Sequence, residues 1–253
     1  MALPVLWHFT VSHFNEKVRW ALDFKRIPHI RRALFFSYLP RTLWATGQPA
    51  LPVLVLDGKA IADSTRIMEA LERLQPEPPL YPVDERARQR ALALEDFFDE
   101  ELGPALRAVL VHNLFARDPG RVPEMFTAGM SAGTRRALRA LVPGFRALYR
   151  LRHRISTASA AVGHAKVLAA LNRIEAELGP NGYLVGDRFT VADLTAAALF
   201  YPLVQPPEYP YPWPPPPTPW FAGYRALLAT RPAFQWVAEI YRRHRGTSAE
   251  VAA

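Results

Sequence analysis

Val5-Leu6-Trp7-His8-Phe9-Thr10-Val11-Ser12-His13-Phe14-Asn15-Glu16-Lys17-Val18-Arg19 decides how this chain is read. Leu3–His8 is apolar and has the length of a strand, while Asn15–Lys25 carries Val18, Ala21 and Leu22 at helical spacing. Strand and helix therefore meet at Ser12. A hydroxyl, backbone N–H groups and the positive end of a helix dipole converge there, an environment that stabilises an anion or a thiolate. The chain has no cysteine, so a thiol at this junction arrives on a ligand. Ser12 is equally an ordinary helix N-cap, and the junction by itself leaves both readings open.

The missing cysteines also exclude disulfides, thiolate metal sites and a cysteine nucleophile. With 253 residues, 50% hydrophobic and 21% charged, the chain has the composition of a globular protein with ample core. No signal-peptide pattern opens it and no apolar run reaches the roughly 18 residues of a membrane span. A cytoplasmic protein with no membrane partner is expected. The formal charge of +8 invites a nucleic-acid reading. However, the excess is arginine spread through helices, densest from Arg135 to Arg154, without aromatic–basic interleaving or zinc-finger spacing. A solvated or anion-attracting surface is expected, and no nucleic acid partner. His112, His153 and His164 lack metal-ligand spacing, so no metal site is assigned.

Outward from the junction, residues 3–75 alternate strand-like and helix-like segments, and residues 84–245 read as almost wholly helical. Pro76, Pro78, Pro79 and Pro82 separate them. The expected organisation is a domain over 1–76, a linker over 77–83 and a helical domain over 84–253. In the first, Ile30–Phe35 is a strand and Tyr38–Gly47 helical or irregular. Pro52–Leu56 and Lys59–Ala62 flank the hairpin signal Asp57-Gly58, and Ser64–Leu74 is a helix. The fold class is α/β of order βαβαββα with a mixed sheet, followed by an all-α bundle.

In the second, helices are expected over Asp84–Phe115, Ala132–Ile155 with a kink at Pro143-Gly144, and Ala160–Leu178. Thr190-Val191-Ala192-Asp193 reads as a capping box opening a buried helix through Leu203. A Pro-rich excursion spans 202–219, with Tyr209, Tyr211 and Trp213 packing on the chain's own helices, and two short helices follow. Glu95-Asp96 and Asp99-Glu100-Glu101 read as a face meeting the arginine-rich helix, His13 as a surface histidine, and Arg19 as a structural ion-pair partner. Phe97, Phe98, Phe115 and Tyr201 read as aromatic core, with an electrophile pocket as the alternative.

Two further elements bear on Ser12. Ala50-Leu51-Pro52-Val53-Leu54 puts a proline at a strand mouth, where it donates no ladder hydrogen bond; a cis bond there frees the Leu51 backbone for an extended ligand. Ala62-Asp63-Ser64 then opens a helix, with N–H groups and a hydroxyl for a carboxylate and Asp63 for an ammonium. A ligand with a thiol, a peptide-like middle and an α-amino acid head fits the three stations.

On these residues the chain resembles the cytosolic glutathione transferases, of serine type and bacterial-like. Ser12-x-x-Asn15-x-Lys17-Val18-Arg19-x-Ala21-Leu22, Leu51-Pro52-Val53-Leu54, Asp63-Ser64-x-x-Ile67 and Gly186-Asp187-x-x-Thr190-Val191-Ala192-Asp193 occur in register over the chain to about residue 200. The resemblance implies a thioredoxin-like N-terminal domain, a helical C-terminal domain and a homodimer. It implies glutathione as co-substrate, conjugated to a hydrophobic electrophile, with no metal. Ser12 then holds the sulfur, with Asn15 as the alternative. Leu51 and Pro52 meet the cysteinyl unit, Asp63 and Ser64 the γ-glutamyl group, and Gln48 or Arg41 the glycyl carboxylate. Asp63 is shorter than the family's Glu or Gln. The competing reading is a non-catalytic ligand-binding or protein-interaction protein on the same fold.

Overall fold

A computed structural model describes residues 2–34, 38–122, 132–213 and 218–252. Its N-terminal part is built on four short strands: β1 (Val5–His8), β2 (Ile30–Ala33), β3 (Val53–Leu56) and β4 (Lys59–Ala62). They lie in the order β2-β1-β3-β4. β1 pairs parallel with β2, because α1 (His13–Phe24) crosses over between them, and antiparallel with β3. β3 and β4 form the hairpin around Asp57-Gly58, both of which take the positive φ that such a turn needs. α2 (Tyr38–Thr46) and α3 (Ser64–Leu74) complete a thioredoxin-like mixed α/β layer. β2 ends two residues before the expected Phe35, which lies outside the described residues.

The C-terminal part is helical. α4 (Glu85–Phe97) and α5 (Gly103–Arg117) are joined by a π-helical turn over Phe98–Leu102. The long helix expected here thus runs on through a π-helical turn that contains the acidic run Asp99-Glu100-Glu101. Gly103 follows that turn because Phe14 fills the space beside it: a Cβ would stand 2.4 Å from the ring. α6 (Ala132–Arg152), α7 (Thr157–Glu177), α8 (Val191–Val204), α9 (Pro219–Ala229) and α10 (Pro232–His244) follow. α5 and α7 cross so closely that a Cβ on Gly163 would lie 2.8 Å from the Ala105 carbonyl oxygen.

α8 is the centre of the core. Its residues are buried on all sides, and its N-terminus is closed by the Thr190–Asp193 capping box, whose carboxylate also accepts from the Leu184 N–H at 2.8 Å. Pro202 falls inside α8, so the excursion begins after Val204 rather than at 202. Residues 214–217 of it lie outside the described residues. Tyr209 stacks on Tyr201, and its hydroxyl reaches the Thr10 carbonyl. Tyr211 stacks on His8. The aromatic segment thus packs against the β1–α1 junction.

α1 lies between α3 and α8, and most of its charged side chains are buried. A buried charge is tolerated only with a partner, and α1 has two sets. Lys17 Nζ lies 2.7 Å from Glu95 and 2.6 Å from Asp99, both of the helical part. On the other side Arg19 pairs with Glu16, while Arg245 reaches both Glu16 at 2.7 Å and Asp23 at 2.8 Å. The expected structural role of Arg19 is realised there. Among the described residues the acidic run finds other partners than the arginine-rich helix: Glu95 and Asp99 face Lys17, and Glu101 faces Lys166. Arg146 and Arg152 of α6 instead reach the carbonyls of Phe115 and Pro49.

Candidate functional site

Ser12 stands at the N-cap of α1 in extended conformation, φ −94° and ψ 127°. Its carbonyl accepts the Glu16 N–H, but its hydroxyl makes no capping bond. The side chain is therefore uncommitted at the positive end of a helix. Asn15 is fully enclosed, and its Oδ1 accepts the Phe9 N–H at 3.2 Å, tying the junction together. His13 is buried rather than on the surface, and burial, followed by the field of Arg107, pushes it down to about 3. Helix packing decides this: the position faces Gly103, not solvent.

Between the two parts of the chain runs a cleft of about 470 Å³. Gln48, Leu51, Pro52, Asp63 and Ser64 all line it, on the side of the sheet. Phe14 contributes from α1; Ser12 and Asn15 are not among the lining residues. The Leu51-Pro52 bond is cis, and Leu51 sits outside the β3 ladder. Arg41 is exposed, with its guanidinium over the Trp7 ring at 4.5 Å.

Asp63 takes φ 76° with ψ 126°, outside the left-handed helical well. Its Oδ1 accepts the Thr65 N–H at 3.0 Å and the Arg66 N–H at 3.2 Å. The short arm turns back onto its own helix, which consumes two of the N–H groups expected to face a ligand. The Ser64 hydroxyl and N–H remain at the first position of α3, with Ser64 itself largely buried.

The opposite wall was not legible from the sequence. Asp96, Asp99, Glu100 and Arg107 line it from α4, the π-helical turn and α5. Asp99 Oδ2 accepts from Lys17 and, at 3.1 Å, from the Thr65 hydroxyl, which ties α1 and α3 to this wall. Burial opposes the charge of Lys17, but Asp99 and Glu95 outweigh it and raise its affinity for the proton. Glu95, deeper in, is shifted upward because burial exceeds what Lys17 returns. The lysine's helical position beside Ser12 gave no sign of partners some 80 residues away.

Beyond the cleft an apolar cluster joins Phe9 and Val11 of the junction to Phe115, Val122, Phe145 and Tyr149. Phe98 and Tyr201 are core, and Phe97 packs against that core from a partly buried position. Phe115 belongs to the cluster beside the junction. Among the described residues no group of three or more His, Asp or Glu side chains is arranged to hold a metal ion, and no helix is long and apolar enough to cross a membrane.

Residues 6–79 match the family model for the glutathione S-transferase N-terminal domain, and residues 132–229 that for the C-terminal domain. The chain belongs to the glutathione S-transferase family. It is 24% identical over 198 residues to FtsZ-localized protein A of Caulobacter vibrioides, covering 76% of this chain and 74% of that protein. A glutathione S-transferase from Rhodospirillum rubrum superposes with a TM-score of 0.57 at 23% identity, over 93% of this chain and 91% of that one. A glutathione S-transferase from Methylobacillus flagellatus, solved with glutathione bound, gives 0.57 at 20% identity, over 93% and 98%. At these identities the solved structures speak to the fold. Within the glutathione S-transferase fold, the cleft lies where the thioredoxin-like and helical domains face each other.

Proposed function

We propose that this protein is a glutathione transferase, cytoplasmic and homodimeric, that activates the thiol of glutathione for attack on a hydrophobic electrophile. One observation carries the reading: Gln48 and Leu51 before β3, and Asp63 and Ser64 at the start of α3, line a single cleft to which Phe14 of the first turn of α1 contributes. The Leu51 backbone pairs with the cysteinyl unit, with cis-Pro52 shaping the strand mouth. Ser64 receives the γ-glutamyl carboxylate, the free oxygen of Asp63 its ammonium, and Gln48 the glycyl carboxylate.

The Ser12 hydroxyl donates to the sulfur. A free cysteine-like thiol has a pKa of about 8.5, and lowering it by ~2 units requires about 2.7 kcal/mol of preference for the thiolate. A hydroxyl donating to a charged acceptor contributes about 1.5–3 kcal/mol, and the helix terminus about 0.3–1 more. Those two effects suffice without a general base. Asn15 is the alternative donor: its Oδ1 accepts the Phe9 N–H, and its Nδ2, the atom that would donate, is buried without a partner among the described residues. The cluster of Phe9, Val11, Phe115 and Tyr149 receives the apolar body of the electrophile.

The test is binding to immobilised glutathione together with conjugation of a chromogenic aryl halide. Ser12→Ala is expected to lower kcat about 10- to 100-fold while glutathione is still retained. Unchanged turnover in Ser12→Ala with loss in Asn15→Ala transfers the sulfur contact to Asn15. A wild-type protein that neither binds nor turns over leaves the second reading, a ligand-binding or protein-interaction member of the family. That reading is favoured by the likeness to FtsZ-localized protein A and by the return of Asp63 onto its own helix.

A further inference from the structure

Arg107 is a cation lining the cleft that none of the carboxylates among the described residues pairs with. Its guanidinium is positioned by neutral groups: Nη1 lies 3.0 Å from His153 Nδ1, and the group rests 5.5 Å from the centre of the Phe14 ring. Acids do line the same cleft. However, Asp99 is held by Lys17 and Thr65, Asp63 caps α3, and Asp96 and Glu100 are exposed on the wall N-terminal to Arg107. Along the helical wall Arg107 follows Glu100 by two turns, about 10 Å. The wall is thus bipolar, with acids at one end and an uncompensated cation at the other.

Two histidines beside Arg107 bring it no negative charge. His13 and His153 are both pushed down to about 3, by burial first and then by Arg107 itself. The Nε2 atom of His13 is buried without a partner. One and two turns further along α5 lie Val111, Leu114 and Phe115, which belong to the apolar cluster beside the junction. Arg107 therefore stands between the cleft and that apolar surface. A partly buried cation without a counter-ion is a poor structural element and a good receptor for a carboxylate.

We infer that Arg107 is the carboxylate-receiving residue of the helical wall, so that the preferred electrophile is an apolar molecule carrying its own carboxylate. This rests on the transferase reading above. The glycyl carboxylate of glutathione has the same chemistry, and the experiment separates the two sources.

Full-length wild type, Arg107→Gln and Arg107→Lys are compared, with Arg139→Gln, exposed on α6, as the control. The substrates are 4-chloro-3,5-dinitrobenzoate and its methyl ester, each with glutathione and with its glycyl ethyl ester. In every case the thiolate forms a C–S bond at the ring carbon and chloride leaves with the C–Cl electron pair. Arg107→Gln is expected to lower kcat/KM for the benzoate about 10- to 100-fold, with a much smaller loss for the methyl ester and partial rescue in Arg107→Lys. Equal losses on both electrophiles overturn the assignment. So does a loss that disappears when glutathione is replaced by its ethyl ester, which gives Arg107 to the glycyl carboxylate instead.

A binding measurement without glutathione keeps this separable from the transferase reading. Unreactive 3,5-dinitrobenzoate is titrated into histidine-labelled protein, followed by the imidazole resonances of His153. A saturable shift, absent with the methyl ester and in Arg107→Gln, supports the carboxylate site even if no conjugation is found. Its absence in the wild type overturns the site whatever the turnover.

Discussion

The two faces of α1 solve the same problem differently. Both bury a cation completely, Lys17 on one side and Arg19 on the other, and both connect α1 to residues far away in the chain. On the Arg19 side the network is sealed. Arg245 reaches Glu16 and Asp23, Arg31 adds a second partner to Asp23, and the Ala249 N–H donates to the same carboxylate at 2.8 Å. The C-terminal tail then runs beside His29, whose carbonyl accepts the Val251 N–H. On the Lys17 side the network opens. Asp99 is shared with Thr65 and lines the cleft, while Glu95 meets Lys17 through Oε1. A sealed network holds domains together; an open one also shapes a binding wall.

That contrast is broken most directly by removing one cation from each face. Arg245→Met strands Glu16 and Asp23 in the interior, and a loss of about 3–5 kcal/mol is expected in urea unfolding. Lys17→Met is expected to cost less, about 1–3 kcal/mol, because Glu95 is already shifted toward its neutral form and accepts a proton in place of its partner. It also frees Asp99, so the KM for glutathione rises while Arg245→Met leaves that KM near wild type. Equal destabilisation by the two variants, with no change in KM for either, would mean that the faces do not differ in kind.

The smallest effect is the one with pH. Burial opposes the charge on Asp23, but Arg245 and Arg31 outweigh it and hold this carboxyl below its ordinary 3.8. Its contribution is therefore complete above 3.8 and is lost as the pH falls through the lower folded value. Glu95 has the opposite sign. Its folded value is above the ordinary 4.5, so its contribution is greatest below 4.5 and declines as the pH rises through that folded value. Hydrogen exchange below about pH 3.8 should expose the Ala249 amide while α4 amides around Glu95 stay protected. Simultaneous loss at both places would remove the distinction.

Much of the fold was readable from local signals. Asp57-Gly58 placed the β3–β4 hairpin, and Thr190 with Asp193 placed the start of α8. Leu51-Pro52 marked a strand mouth that the structure builds with a cis bond. Of the candidate site, the sheet-side wall was legible because each of its residues sits at the end of an element with its own local signature. The helical wall was not. Glu95 and Asp99 looked like a face meeting the arginine-rich helix, and His13 like a surface residue, because helical periodicity states which residues share a face without stating what that face meets.

The sequence by itself determined the order of elements, their caps and turns, and the family, since those depend on spacing over a few residues. Only the tertiary structure decided that Asp63 turns back to cap α3 and that Lys17 finds its counter-ions in the helical domain. It also decided that Arg107 faces the cleft without a counter-ion among the described residues. The reason is physical. Caps and turns are satisfied within one segment, but a buried charge is satisfied only by whatever the docking of distant segments brings within a few ångströms.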